Sequence, residues 1–236
     1  MGRRLGQHFL YDSRIAARIA EAAGIGPGDT VLEIGPGKGI LTAELAKRAK
    51  KVVAIEKDKT LAKALEGKFG NVEIIAGDAL DINWPEHDRN VSNLPFNISS
   101  PILERVFAAG RPAMLMVQKE FANRLLAKPG TNDYSRLTVA CGYHCDARKI
   151  GELKPGAFRP PPKVSATVVE LVPHAPPFKA DGKFWSIVNT LFQHRRKIVR
   201  AALKGKKTDN IPEGLLKKRV FTLDLQDLKK IADAFR

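Results

Sequence analysis

Val31-Leu32-Glu33-Ile34-Gly35-Pro36-Gly37-Lys38-Gly39 is the stretch on which the fold turns. Its apolar start reads as a strand over 30–34, its glycines as a tight loop, and the alanine-rich run over 40–50 as a helix. A strand that passes through glycines into a helix lets a ligand approach the backbone at the strand's carboxyl end. The Gly35, Gly37, Gly39 spacing departs from the dinucleotide pattern G-x-G-x-x-G, and Gly37-Lys38-Gly39 lacks the Ser/Thr that would end a phosphate loop. Two further strand ends carry carboxylates. Glu56 closes a strand over 51–56, where it can accept from both hydroxyls of a ribose. Asp78, in Gly77-Asp78-Ala79, follows a strand over 72–75, where it can meet an adenine amine.

Working outward, a helix capped by Asp12 or Ser13 and stopped by Gly24 precedes this segment. Helices are expected over 60–68, 101–109, 120–127 and 136–145, and strands over 89–93, 113–118, 147–152 and 166–171. This alternation predicts an α/β fold: a seven-stranded, mostly parallel sheet covered on both faces, closed by an antiparallel edge. Pro173, Pro176 and Pro177 mark a linker over 172–181, beyond which the pattern is helical only. A single helix is expected over 184–203. The predicted division is a cofactor domain over 1–175 and a basic helical domain over 176–236.

The second informative segment is Asn93-Leu94-Pro95-Phe96, at the end of the strand over 89–93. The N6 nitrogen of adenine is a poor nucleophile because its lone pair is delocalised into the ring. The Asn93 amide oxygen and the Leu94 carbonyl can oppose this by accepting from both N–H groups. Pro95 has a fixed φ and no N–H of its own, which helps turn the Leu94 carbonyl outward. Phe96 offers a face on which a flipped base can stack. A glycine loop followed by this tetrapeptide predicts methyl transfer from S-adenosylmethionine to a base amine, with alignment and electrostatics as the main catalytic terms.

The chain has 236 residues and a net charge of +15, which suits a polyanionic partner, nucleic acid first. Residues 176–236 hold 15 Lys and Arg against 6 Asp and Glu, a net +9. Within them Arg195, Arg196, Lys197 and Arg200 are the expected RNA contacts. No apolar run reaches the roughly 18 residues of a membrane span, and no secretory signal is read at the start, so the cytoplasm is the expected location. Cys141 and Cys145, with His144 between them, are too few for a metal site and are expected as buried thiols. No association segment is evident, so a monomer is expected.

With these residues assembled, the chain resembles the KsgA-type small-subunit ribosomal RNA adenine N6,N6-dimethyltransferases over nearly its full length. The resemblance rests on the two segments above and on Gly6-Gln7-His8-Phe9-Leu10 and Gly77-Asp78-Ala79. It also rests on Asn97-Ile98-Ser99, Phe158-Arg159-Pro160-Pro161-Pro162-Lys163-Val164-Ser165 and Phe192-Gln193-His194-Arg195-Arg196-Lys197. It implies a Rossmann-like class I methyltransferase domain with a small helical domain, dimethylating two adjacent adenines near the 3′ end of small-subunit rRNA in an assembling ribosomal particle. It implies cofactor contacts at His8, Leu10, Gly35, Glu56, Asp78 and Asn93, and makes Phe158 the second wall of the base pocket, opposite Phe96. His8 stands where many relatives carry Asn, and Phe96 where Tyr is commoner. An Erm-type enzyme acting on large-subunit rRNA and a non-catalytic RNA-binding assembly factor are the alternatives. Leu94 and the Pro160-Pro161-Pro162 run favour the small-subunit type.

Overall fold

A computed structural model describes residues 8–235. Gly6 and Gln7 of the first motif lie outside the described residues. The main sheet contains β2 (Thr30–Ile34), β3 (Lys51–Glu56), β4 (Val72–Ala76), β5 (Arg89–Asn93), β6 (Ala113–Gln118), β7 (Cys145–Leu153) and β9 (Ala166–Pro173), in the order β4-β3-β2-β5-β6-β9-β7. A separate two-stranded ribbon joins β1 (Phe9–Leu10) to β8 (Phe158–Arg159).

Strands β2 to β6 pair in parallel, and β9 runs antiparallel to β6. Val31, Leu32, Val52, Val53, Ile55 and Val91 are buried, so these strands are near-continuous apolar runs, as a sheet covered on both faces requires. Each such side chain contributes about 1.5–3 kcal/mol by leaving water. Helix α1 (Ser13–Ala22) precedes β2, and helices α2 (Ile40–Ala46), α3 (Lys59–Leu65) and α4 (Ser99–Ala109) fill crossovers. Asp12 caps α1 by accepting from the Arg14 N–H at 2.9 Å. Helices α2 and α3 are each shorter at the carboxyl end than their sequence suggests.

The chain separates into two compact units. The first runs through residue 122 and takes in 147–173; the second joins 123–146 to the segment from 174 onward. Residues 123–146, expected with the cofactor domain, therefore pack with the helical unit. They supply α6 (Arg136–His144) and much of the preceding loop, while α5 (Lys119–Leu126) spans the boundary. Tyr134 and Val139 are buried in one cluster with Phe184, Val188 and Leu191 of α7 (Gly182–Phe192) and Leu228 and Ile231 of α10 (Leu225–Asp233). The Tyr134 hydroxyl donates to the Leu223 carbonyl at 2.7 Å. A proline-rich linker signals a boundary only to its immediate neighbours in sequence, whereas this packing joins residues far apart in the chain.

The single helix expected over 184–203 is broken. α7 stops at Phe192, and a short α8 (Val199–Ala202) starts after a turn holding His194-Arg195-Arg196-Lys197. The carbonyls of Arg195 and Lys197 accept from the N–H groups of Phe221 and Val220, at 2.9 and 3.0 Å, and Ile198 bridges to Arg219. These long-range partners take backbone groups that a continuous helix would use within itself. α9 (Glu213–Lys217) completes the unit, and Cys141 and Cys145 are buried free thiols with sulfurs 3.6 Å apart.

Tyr134→Phe keeps the ring but leaves the Leu223 carbonyl unpaired inside the helical unit. We expect a loss of about 1–3 kcal/mol in denaturant unfolding. An unchanged midpoint would show that the hydroxyl does not hold residues 123–146 in this unit.

Candidate active site

The sheet order reverses at β2, which has β3 on one side and β5 on the other. In parallel sheets this switch point opens a crevice at the carboxyl ends of the strands. Leu32 pairs with Asn90, and Ile34 pairs with Ile55 while its N–H donates to Ser92 Oγ at 2.9 Å. The glycine loop, the end of β3 and the end of β5 are thereby brought level. One cleft at this edge is lined by His8, Phe9, Gly35, Gly37, Glu56, Asn93, Leu94, Pro95 and Phe96.

The glycines are there for close approach. Gly35 has φ +70°, and a Cβ on it would lie 3.4 Å from Pro95 Cδ. Gly37 has φ +58°, and a Cβ there would lie 2.7 Å from Phe9 Cδ1, closer than real side chains come. The loop is fixed by two hydrogen bonds from β3: the Gly35 N–H donates to the Ile55 carbonyl at 2.9 Å, and the Gly37 N–H to Glu56 Oε2 at 3.0 Å. The Asp58 N–H holds the other oxygen of Glu56 at 2.9 Å. Glu56 is thus a buried, oriented carboxylate whose remaining lone pairs can serve a ligand.

Asn93 is held from an unexpected direction. Its Nδ2 donates to the His8 carbonyl at 3.3 Å, leaving Oδ1 as the acceptor. The Leu94 N–H is anchored to the Met116 carbonyl at 3.1 Å, and no hydrogen bond reaches the Leu94 carbonyl among the described residues. Pro95 has φ −55° and ψ 125°. The Ser99 hydroxyl lies 3.4 and 3.3 Å from the Pro95 and Phe96 carbonyls, closing the turn from the start of α4. Phe96 is partly exposed, with the His8 ring centroid 5.8 Å from its own. His8 reaches this place through the β1–β8 ribbon, and its Nδ1–H donates to the Pro160 carbonyl at 2.8 Å.

A profile described as ribosomal RNA adenine dimethylase matches residues 2–236. The chain belongs to the ribosomal RNA adenine dimethylase family. It is 45% identical to a probable ribosomal RNA small subunit methyltransferase A of Pyrobaculum aerophilum, covering 97% of this chain and 96% of that one. It is 42% identical to the protein of the same name from Methanosarcina barkeri, over 98% of this chain and 87% of the relative. Its fold matches the crystal structure of a dimethyladenosine transferase from Plasmodium falciparum with a TM-score of 0.81 and 31% identity, covering 95% and 96% of the two chains. The 23S rRNA methyltransferase ErmE matches with a TM-score of 0.74 and 29% identity, over 96% and 99%. The higher identities lie with the small-subunit type, so the Erm-type alternative is not favoured.

For this family the methyl donor is S-adenosylmethionine, and the residues present fit it. A cationic nucleoside suits a cleft with a glycine loop and an oriented carboxylate. A second carboxylate, Asp78, stands just past β4. Asp78 does not line the cleft; it is paired with Lys57 at 2.5 Å and accepts from the Leu80 N–H at 2.9 Å, which together hold it below the usual carboxylate range. Leu10 is buried in the adjoining recess under the loop, which Glu33 also lines. Gly39, at φ +81°, starts α2 and lines neither space.

Phe158 requires a correction. Its ring is 1% exposed and packs in the core with Leu10, Ala157 and Val168. It is not a wall of the cleft opposite Phe96. Pairing of Leu10 with Phe158 in the ribbon commits the ring to the interior. Phe9, beside His8 at the start of the ribbon, walls the cleft, a role that its place in the sequence does not mark.

In the helical unit, the expected RNA contacts divide. Arg195 Nη1 donates to the carbonyls of Asn132 and Tyr134 at 2.6 and 2.9 Å, and Arg200 pairs with Glu213 at 2.5 Å. Arg196 and Lys197 are exposed and form no ion pair among the described residues. Arg195 and Arg196 line one recess with Thr131, Asn132, Arg219 and Phe221.

Glu33 of β2 is a buried acid beside the glycine loop. It is 1% exposed, its Oε2 has no hydrogen-bond partner among the described residues, and neither has Thr42 Oγ1. Burial pushes the carboxyl up to about 8; the Thr42 hydroxyl, close but outside bonding geometry, opposes this, and the Glu56 charge adds to it. The folded chain therefore holds a proton that the unfolded chain releases near pH 4.5. Folding stability from this group falls as pH rises from about 4.5 to about 8. Glu33→Gln removes that dependence, and we expect it to gain roughly 2–4 kcal/mol on wild type between those limits. Parallel urea titrations at the two pH values test this; a constant difference between the proteins would refute it.

Proposed function

We propose that the protein transfers methyl groups from S-adenosylmethionine to N6 of two adjacent adenines near the 3′ end of small-subunit rRNA, in an assembling ribosomal particle in the cytoplasm. The observation that carries this reading is the state of Asn93 and Leu94. One side of the Asn93 amide is tied to His8, and among the described residues its oxygen and the neighbouring Leu94 carbonyl have no partner, all at the rim of the cleft that holds Gly35, Gly37 and Glu56.

An adenine amine seated there donates one N–H to Asn93 Oδ1 and the other to the Leu94 carbonyl. Both bonds draw the nitrogen toward tetrahedral geometry and return its lone pair from the ring. The cofactor supplies an electrophilic methyl group on a sulfonium. Phe96 stacks on the flipped base, which offsets the few kcal/mol of unstacking. Glu56 would accept from the ribose hydroxyls and Asp78 from the cofactor's adenine amine, with Gly35 and Gly37 allowing close approach. No tuned base is required, because the methylated nitrogen is acidic and gives its proton to solvent. Rate enhancement then rests on fixed acceptors and alignment. A second methylation requires the slot to admit N6-monomethyladenine.

RNA is drawn in by the basic helical unit. Arg196 and Lys197 are the expected phosphate contacts, since Arg195 and Arg200 already serve internal partners.

Asn93→Ala should abolish methylation of small subunits by labelled cofactor, by at least about 10²-fold, while particle binding persists. Retention of full activity would end the assignment. Glu56→Ala should weaken cofactor binding and spare RNA. Arg196→Ala with Lys197→Ala should do the reverse and lower the log–log salt slope of RNA affinity by roughly one to two units. Calorimetry with each ligand separates these, and equal losses for both ligands would defeat the division of labour.

A further inference from the structure

Helix α4 holds two turns, the one at Asn93 to Phe96 and the one that follows Asp78. Its first turn carries Ser99, next to the Pro95 and Phe96 carbonyls. Further along, Arg105 reaches the turn that follows Asp78. Arg105 Nη1 donates to the Ala79 carbonyl at 2.5 Å and Nη2 to the Ile82 carbonyl at 2.6 Å. Its guanidinium lies 4.8 Å from the centroid of the Trp84 ring, and the Trp84 indole N–H donates to the same Ala79 carbonyl at 2.8 Å.

Within residues 78–82 the turn is held by Asp78. The Asp81 and Ile82 N–H groups donate to the Asp78 carbonyl at 3.0 and 3.2 Å, and the Leu80 N–H donates to Asp78 Oδ1. Asp78 thus satisfies the turn's donors; of its carbonyls, that of Ala79 accepts from Trp84 and Arg105 together, and that of Ile82 from Arg105. Arg105 forms no ion pair among the described residues, so its planar donor set is committed to these carbonyls and to the Trp84 face. A guanidinium can satisfy both carbonyls at once; an ammonium has no fixed geometry for this.

We propose that Arg105 is a positioning residue for the cofactor: it clamps residues 79–82 to α4 and so fixes Asp78 where an adenine amine must be met. The helix that closes the Asn93-Leu94-Pro95-Phe96 turn then also sets the far end of the cofactor site. This inference rests on the reading of Asp78 given above. A clamp on a binding turn acts on cofactor affinity and leaves the chemical step nearly untouched.

The test uses full-length Arg105→Met, Arg105→Lys and Asp78→Asn proteins, with S-adenosylhomocysteine as the calorimetric probe. Arg105→Met preserves packing on Trp84 and removes every donor; we expect its Kd to rise about tenfold, with about threefold for Arg105→Lys. Without ligand, amide exchange at Leu80, Asp81 and Ile82 should accelerate about tenfold in Arg105→Met, while kcat at saturating cofactor stays within about twofold. Weakened Asp78→Asn beside an unaltered Arg105→Met overturns the clamp and spares the Asp78 reading. Unaltered Asp78→Asn overturns both. Identical Lys and Met variants, or a loss confined to kcat, also overturn the clamp.

Discussion

The parallel register of β2 between β3 and β5 is the constraint on which the rest depends. Leu32 opposite Asn90 and Ile34 opposite Ile55 set the glycine loop, Glu56 and Asn93 at one edge of the sheet. A slip of one residue would turn every side chain of β2 to the other face and part the loop from the tetrapeptide. The buried apolar runs of these strands make such a slip costly. The energy that fixes the site is thus mostly hydrophobic, although the site itself is polar.

On that frame, each functional group is held by something other than a ligand. Glu56 is oriented by two backbone N–H groups, Asn93 by the His8 carbonyl, and Pro95 by its closeness to Gly35. Preorganisation of this kind lowers the reorganisation that binding and reaction demand. It has a cost in stability. Glu33 lies buried beneath the loop with a raised pKa and an oxygen that has no partner among the described residues. A cation bound nearby would favour its carboxylate.

Charge in the helical unit is less available than its count suggests. The run His194-Arg195-Arg196-Lys197 lies on a turn pinned by residues 219–221, and Arg195 is part of what pins the loop at 132–134. Replacing all four basic residues would confound folding with RNA affinity. Arg196 and Lys197 carry the cleaner electrostatic signal.

The sequence by itself determined the alternation of strands and helices, the antiparallel edge, the glycine loop and the tetrapeptide. These are local: periodicity, turn chemistry and fixed φ values act within a few residues. It also determined that Glu56 ends its strand, where apolar residues give way to polar ones, and that Asn93 ends its strand, just before the turn at Pro95. Tertiary structure alone decided the β1–β8 ribbon, whose strands of two residues carry no period, and with it the burial of Phe158 and the bond from Asn93 to His8. It alone decided that α7 stops at Phe192, that 123–146 join the helical unit, and that Arg105 holds the turn after Asp78. Each of these turns on which distant partner satisfies a buried carbonyl, amide or ring, and residue spacing does not record that choice.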